Sequence, residues 1–189
     1  MSFPLDGASD GELVALARAG SQKAYSALSE RHREPVYRLV RAAIGDTDAA
    51  LDVTQEVFVA AFAALDRYDP NRSFRAWLTS IALNKGRDWA RRRAVRQLFS
   101  FALPENLVEA ADETSAAIDR AAEDRQELQR VAVAVASLPG RLKEVLLLRT
   151  VEELSQAETA TVLSISEKAV ETRLYRARRA LTERLERGL

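Results

Sequence analysis

The chain has 189 residues and a mass of 21.0 kDa, which suits one or two small domains and makes a large enzyme fold improbable. It has no cysteine and only one histidine, which excludes disulfides, thiolate metal sites and histidine-paired metal clusters. No apolar run approaches the roughly 18 residues of a membrane span, and residues 1–10 lack a secretory signal, so we expect a cytoplasmic protein.

The formal net charge is zero, but the charges are segregated into blocks along the chain. Residues 72–96 hold eight basic residues against one acidic, and residues 168–187 hold seven against three. Residues 46–69, before the first basic block, hold six acidic residues against one basic. Residues 105–127, between the two basic blocks, hold eight acidic residues against two basic. Charge blocks decide which surfaces can approach phosphate, so the two basic blocks predict contact with nucleic acid.

Apolar residues recur at intervals of three and four with few glycines and prolines, which predicts an all-α protein. Ser9 and Glu12 predict a capping box at the start of a first helix that Gly20 closes. Ser21 predicts the start of a second helix that Gly45 ends.

Three further residues mark boundaries in the rest of the first domain. Pro35 is expected to kink or split the second helix near its middle. Asp46 or Thr47 opens a third helix, which stops at the YDPN turn at 68–71. Ser73 caps a fourth helix that runs to about Arg93.

Periodicity fades over residues 97–124, which are acidic and rich in alanine, and we interpret them as a flexible linker with some helix at its end. A second domain follows, with one helix to residue 137, an LPG break, and helices near 141–150, 154–163 and 167–187. The prediction is therefore two small helical domains, 9–96 and 125–187, joined by an acidic linker.

Residues 154–187 have the pattern of a helix-turn-helix, whose second helix lies in the major groove. Its solvent-facing candidates are Lys168, Glu171, Thr172, Tyr175 and Arg176 for base edges, and Arg173, Arg178 and Arg179 for phosphates. An ordinary helical hairpin with a solvated charged face fits the same pattern, and the degenerate turn does not separate the two interpretations.

Aromatic and basic residues alternate between 68 and 93, which suits an unstacked single strand because rings stack on bases while guanidinium groups follow the backbone. Asn84 is a candidate for reading a base edge. The alternative is that Phe74, Trp77, Ile81 and Trp89 belong to the core, and for Trp77 and Ile81 we favour the core. The three consecutive arginines at 91–93 cannot all turn inward.

The helix over residues 48–65 has an acidic outer face edged by apolar residues, which is typical of a protein-docking surface. This face carries Asp52, Gln55, Glu56 and Val59, with Phe58 at its edge. Asp52 and Glu56 also have the spacing of an acid/base pair, but the sequence offers no cleft or metal partner for one.

Together these segments resemble the extracytoplasmic-function (ECF) sigma factors of the sigma-70 family. The resemblance rests on DVTQEVF at 52–58, FRAWL at 74–78, IALN at 81–84, LP at 138–139, LS at 154–155 and VETRLYRAR at 170–178. It implies a non-enzymatic subunit without a cofactor that binds core RNA polymerase and directs promoter-specific initiation. Its partners would be core polymerase, promoter DNA and an anti-sigma factor.

The resemblance also implies which residues do each task. The face at 52–59 would bind core polymerase, and the helix-turn-helix residues given above would read the −35 element. The open non-template strand of the −10 element would lie on Tyr68, Asn71, Arg72, Phe74, Arg75, Trp77, Asn84, Arg87, Arg91, Arg92 and Arg93. Ser164 stands where the family usually has glycine, Thr159 where it has an apolar residue, and Ala169 where threonine is common.

Two other functions remain open from the sequence. One is a helix-turn-helix repressor or activator that binds DNA without polymerase, and the other is a helical adaptor or an enzyme that uses Asp52 and Glu56. The missing histidines and cysteines and the absence of a Walker motif disfavour the enzyme. We also expect that the acidic segment 105–127 can fold back and mask a basic DNA-binding face.

Overall fold

The computed structural model describes residues 7–100 and 119–187, and in these ranges it contains helices and turns but no strand. The α-helices are α1 (Asp10–Arg18), α2 (Gln22–Ile44), α3 (Thr47–Ala63), α4 (Phe74–Ser100), α5 (Asp119–Ala136), α6 (Gly140–Thr150), α7 (Gln156–Leu163) and α8 (Glu167–Glu186), with a 3-10 turn at Leu65–Arg67. The all-α prediction is therefore confirmed. No described helix has the length and apolarity needed to cross a membrane.

The helix starts follow local capping chemistry. Ser9 and Glu12 form the expected capping box, with the Glu12 carboxylate accepting from the Ser9 amide at 2.7 Å. The Asp46 carboxylate accepts from the Ala49 amide at 2.9 Å and opens α3. Gly45 ends α2 in the left-handed conformation, at φ 71°.

Two expectations about helix length are corrected. The predicted split at Pro35 is wrong, because α2 is one helix of 23 residues that contains this proline. The fourth helix continues seven residues beyond the expected end near Arg93, to Ser100. Because α5 already begins at Asp119, both ends of the expected linker are helical, while residues 101–118 lie outside the described residues.

The N-terminal helices, α1 to α4, enclose a core around α2, which packs against α1, α3 and α4. Fully buried side chains line this core, among them Leu13, Leu28, Leu39, Val57 and Leu78. The C-terminal helices, α5 to α8, are built around α8, which packs against α5, α6 and α7 and buries Val170 and Ala177.

The two helix sets are in direct contact. Leu147 and Leu148 of α6, and Leu154 in the turn that follows it, belong to the same buried cluster as the core around α2. Lys143 on α6 donates to the carbonyl of Ala43 at 2.9 Å and to that of Ala136 at 2.7 Å, near the C-terminal ends of α2 and α5. Cationic groups are favoured at such helix ends.

Candidate nucleic-acid interface

The turn between α3 and α4 rests on an aromatic cluster. Tyr68 and Phe74 are only 4% and 2% exposed, and each packs against the other and against Trp77. The Tyr68 hydroxyl donates to the carbonyl of Arg72. Burial raises the pKa of this phenol, which stays protonated as a donor. The rings of Tyr68 and Phe74 therefore support the turn from beneath and are not available for stacking on a base in this arrangement.

The turn is also held from the side by α1. The guanidinium of Arg18 donates to the carbonyl of Leu65 at 2.7 Å and to that of Tyr68 at 2.5 Å. Charged hydrogen bonds of this kind are stronger than neutral ones. Arg18 was not among the sequence candidates, because no local pattern links it to a turn some fifty residues away.

The exposed part of this site consists of polar side chains on the turn and on the first half of α4. Asn71 and Arg72 are exposed and lie close to Asp69. Asn84 is exposed, and its carbonyl oxygen accepts from Arg87 at 2.7 Å. Trp77 is partly buried and lines a cavity of about 610 Å³. The expectation that Trp77 and Ile81 belong to the core holds in part, because both are half-buried against it.

Both of the central arginines on α4 pair with carboxylates of the C-terminal half, Glu144 on α6 and Glu152 in the turn between α6 and α7. Arg75 donates from Nε to the Glu152 carboxylate at 3.1 Å and from Nη2 to the Glu152 carbonyl at 2.9 Å. Arg87 donates to the Glu144 carboxylate at 2.5 and 2.9 Å, and these hydrogen bonds raise the pKa of the guanidinium. Neither pairing was expected from the sequence.

The triplet at 91–93 is fully on the surface, as expected. Arg91 pairs with Asp88 on the same helix, Arg92 lies 3.4 Å from Glu56, and Arg93 lies 3.1 Å from Asp46 and over the ring of Trp89. These are exposed pairs, which contribute little to stability and exchange readily. The triplet therefore remains accessible to phosphate.

The outer face of α3 is the candidate for docking a protein. Asp52, Gln55 and Val59 are exposed, and Val59 at 71% is the most exposed large apolar residue in the described ranges. Glu56 is tied to Lys85 and Arg92 of α4, while Phe58 packs on Phe62. Leu51 is 49% exposed on the same helix, one turn before Gln55, and sequence reasoning missed it.

The helices α7 and α8 form a helix-turn-helix. Ser155 and Glu158 make a capping box at the start of α7, and Ser164 ends it in the left-handed conformation at φ 53° and ψ 48°. Every base-edge candidate on α8 is exposed, as are two of the three phosphate candidates, whereas Arg173 is half-buried. Tyr175 is 68% exposed, which is unusual for a large ring without a partner surface.

Two further observations concern side chains outside the candidate contacts. The Thr159 hydroxyl of α7 is buried and has no hydrogen-bond partner among the described residues. Within the same residues, no cluster of three histidine or acidic side chains is arranged to hold a metal ion.

Comparison with known proteins decides the family. A model of sigma-70 region 2 matches residues 28–96, and a model of sigma-70 region 4 matches residues 128–181. The RNA polymerase sigma factor CnrH of Cupriavidus metallidurans is 42% identical over 183 residues, covering 94% of each chain. The ECF sigma factor SigC of Mycobacterium tuberculosis is 34% identical, covering 92% of each. The chain belongs to the ECF group of the sigma-70 family.

This sigma factor also shares the fold of a solved relative. The structure of CnrH in complex with the cytosolic domain of CnrY superposes with a TM-score of 0.69 at 39% identity, covering 94% of this chain and 97% of that one. The sigma factor therefore binds core RNA polymerase and directs initiation at promoters. A repressor that acts without polymerase is not favoured, because it would not need a region 2 segment beside its helix-turn-helix.

Proposed function

We propose that this ECF sigma factor holds core polymerase through α3, the −10 strand through α4 and its preceding turn, and the −35 duplex through α8. The observation that carries the proposal is the exposed stripe on α8. Its members are spaced by three and four residues over two turns, so they share one face: Lys168, Glu171, Thr172, Tyr175 and Arg176. A helix with one polar and partly basic face suits the major groove.

The −10 proposal rests on the exposed polar groups around the turn. Opening a duplex costs a few kcal/mol per unstacked base, and capture of an everted base offsets that cost. Asn71 and Asn84 supply hydrogen bonds, and the half-buried ring of Trp77 supplies stacking. Arg72 and the 91–93 arginines follow the backbone. Tyr68 and Phe74 are buried beneath the site and support it from below.

The α3 face supports docking on core polymerase. Its apolar members Leu51 and Val59 are unpartnered in the described chain and flank the polar Asp52 and Gln55. A surface that combines exposed apolar side chains with polar ones suits a protein interface. The work of this protein is then binding and positioning rather than catalysis, in the cytoplasm where polymerase and promoter DNA are found.

An anti-sigma factor is the further partner that we propose. CnrH, the 42% identical relative, is found in complex with the cytosolic domain of CnrY. The same surfaces that receive polymerase would be the natural targets of such an inhibitor. Co-purification with a candidate inhibitor, lost in parallel with polymerase binding on mutation of Val59, supports this partner.

Run-off transcription with purified core polymerase on genomic fragments tests the main proposal. We expect transcripts from defined start sites only when the sigma factor is added. On a promoter mapped in this way, Arg178→Ala, which removes an exposed phosphate candidate, should lower affinity and reduce the salt dependence of binding by about one unit of slope. Gln129→Ala, an exposed change on α5, is the matched control. Absence of any defined start would overturn the proposal.

A further inference from the structure

Arg18, the last residue of α1, holds the main chain of the turn that precedes α4. We infer that Arg18 is a positioning residue for the −10 element, because it fixes residues 65–72 in the shape that receives the unstacked strand. The inference rests on the proposed function of α4 and its turn. It extends that function to a helix outside the match to sigma-70 region 2, which begins at residue 28.

The first observation is that Arg18 occupies two main-chain carbonyls. Its Nε and Nη2 reach the Leu65 carbonyl at 3.1 and 2.7 Å, and Nη2 also reaches the Tyr68 carbonyl at 2.5 Å. Tyr68 caps the C-terminal end of the 3-10 turn, where carbonyls lack a partner within the helix. A guanidinium suits this place because it is always charged and offers several donors in one plane. One side chain of α1 thus ties down both ends of the 3-10 turn.

The second observation is that this constraint continues from Tyr68 to the exposed residues of the site. The Tyr68 hydroxyl donates to the carbonyl of Arg72, and the Arg72 amide donates to the carbonyl of Asp69 at 3.0 Å. The Asp69 carboxylate accepts from the main-chain amide and the side chain of Asn71, both at 3.0 Å. Asn71 and Arg72 therefore belong to one hydrogen-bonded turn, and their direction depends on where Tyr68 is held.

The helix that carries Arg18 is itself anchored on α2. Its inner face is buried there through Leu13, Val14 and Ala17. At its other end, the Asp10 carboxylate accepts from Arg31 of α2 at 2.7 Å and lies 2.9 Å from Nε2 of His32. Because α1 is fixed at its start and along its inner face, Arg18 holds the turn in a set position relative to α2.

Holding the turn in advance lowers the cost of binding the strand. A loop that already has its bound shape loses less conformational freedom when its ligand arrives. Without Arg18, residues 65–72 would sample more conformations, and their ordering would oppose capture of the strand. The donors of Arg18 face carbonyls of its own chain, so its role is separate from direct contact with DNA. The loss should therefore be confined to the −10 element and spare the contacts proposed for α3 and α8.

Binding of the −10 strand to the holoenzyme is the direct test. The probe is a fluorescein-labelled single strand that carries the non-template −10 sequence of a promoter mapped by run-off transcription. Arg18→Met keeps the apolar stem of the side chain and removes its donors, and should weaken binding of the probe about five- to tenfold. Arg18→Lys keeps a charged donor and should restore part of the affinity, leaving a loss of about two- to threefold.

Four controls separate positioning from loss of charge and from loss of stability. The affinities of Arg18→Met for core polymerase and for a duplex with the −35 element alone should be unchanged. Arg33→Met removes the same charge from an exposed position of α2 and should leave binding of the −10 probe unchanged. Val14→Ala truncates a buried side chain of α1 but retains Arg18. It should lower the melting temperature without changing binding of the −10 probe at temperatures well below melting.

The outcomes separate the inference from the proposed function. If the wild-type holoenzyme does not bind the −10 probe, the proposed function fails. If the wild type binds and Arg18→Met binds equally well, only the inference fails. Equal losses of Arg18→Met on the −10 and −35 probes, or a loss in Val14→Ala as large as in Arg18→Met, would reduce Arg18 to a general folding role and also overturn the inference.

A second pair of variants decides the question if Arg18→Met does not fold. Arg18→Lys retains the charge, and Tyr68→Phe removes only the hydroxyl that donates to the Arg72 carbonyl. Each should weaken binding of the −10 probe about two- to threefold and leave the −35 duplex unaffected. Wild-type affinity for the −10 probe in both variants would overturn the inference.

Discussion

The carbonyl oxygen of Asn84 accepts a hydrogen bond from Nη1 of Arg87 at 2.7 Å, while the rest of that guanidinium binds Glu144. The orientation of the Asn84 amide is thereby coupled to Arg87. With its oxygen occupied, Asn84 presents its NH2 group as a donor, which suits an acceptor on a base edge. We therefore expect Arg87 to position Asn84 for contact with a base.

The coupling predicts non-additive effects on promoter choice. Asn84→Ala and Arg87→Ala should each change selectivity at the same −10 base, and the double variant should be no worse than about the larger single effect. Arg91→Ala, which removes an exposed charge paired with Asp88 of the same helix, should lower activity evenly across a promoter library. Effects of Asn84 and Arg87 at different bases would contradict the coupling.

The exposed apolar residue on α3 predicts a loss of polymerase binding without a loss of stability. Val59→Ser should weaken the complex with core polymerase about three- to tenfold, because truncation of an apolar contact removes roughly 1 kcal/mol of burial. Val133→Ser makes the same change at a 51% exposed position of α5 and serves as the control. If fluorescence anisotropy gives the two variants equal affinities for core polymerase, Val59 of α3 does not contribute to the interface.

The unpartnered hydroxyl in α7 predicts a stabilising substitution. Thr159→Val keeps the shape of the side chain and removes a buried polar group without a partner among the described residues, which should raise the free energy of unfolding by about 1 kcal/mol. Thr54→Val is the matched control, because the buried Thr54 hydroxyl donates to the Ala50 carbonyl at 2.7 Å. Urea denaturation should show stabilisation at 159 only.

The left-handed residue that ends α7 predicts a second stabilising change. Ser164→Gly should stabilise the protein by roughly 0.5–1 kcal/mol, because glycine adopts this backbone conformation without the steric cost of a Cβ. Ser155→Gly, at an extended N-cap with a capping box, should destabilise slightly instead. Thermal melting of the two variants distinguishes a conformational effect from a general effect of glycine.

The single histidine predicts a pH dependence of stability near neutrality. Burial lowers the pKa of His32 below its ordinary value of about 6.5, although the Asp10 carboxylate at 2.9 Å partly opposes this. The unfolded chain therefore binds the proton more readily than the folded chain does. The contribution of neutral His32 to stability is complete above the pKa of the unfolded state, and it is lost as the pH falls to the pKa of the folded state. His32→Gln should flatten the change in melting temperature between pH 7.5 and 5.5. An unchanged slope would exclude His32 as the cause.

The local features of this fold could be predicted because their causes are local. The caps at Ser9, Ser21 and Asp46 each depend on a side chain and an amide three residues apart. The exposed stripe of α8 follows from periodicity in the same way. The predicted end of α4 is too early. The charged residues at 91–93 interrupt the apolar pattern on which the prediction depends, but a solvent-exposed helix accommodates such residues and continues to Ser100.

The features that could not be predicted depend on residues far apart in the chain. Arg75 and Glu152 are 77 residues apart, and Arg87 and Glu144 are 57 apart. Each of these side chains, considered alone, fits an ordinary solvated face. The burial of Tyr68 could not be predicted either, because it depends on how α1 and α2 close over the turn, whereas burial of Phe74 in the core is one of the two interpretations that the sequence leaves open.

The contact between the two helix sets leaves no room for a side chain at Gly45. A Cβ at this position would stand 2.9 Å from the Cβ of Ala136, on top of the strain that its left-handed backbone imposes on any other residue. One methyl group at the end of α2 would thus act as a wedge against α5. Substitution of Gly45 would therefore disturb the contact between the two helix sets even with every candidate DNA-binding side chain intact.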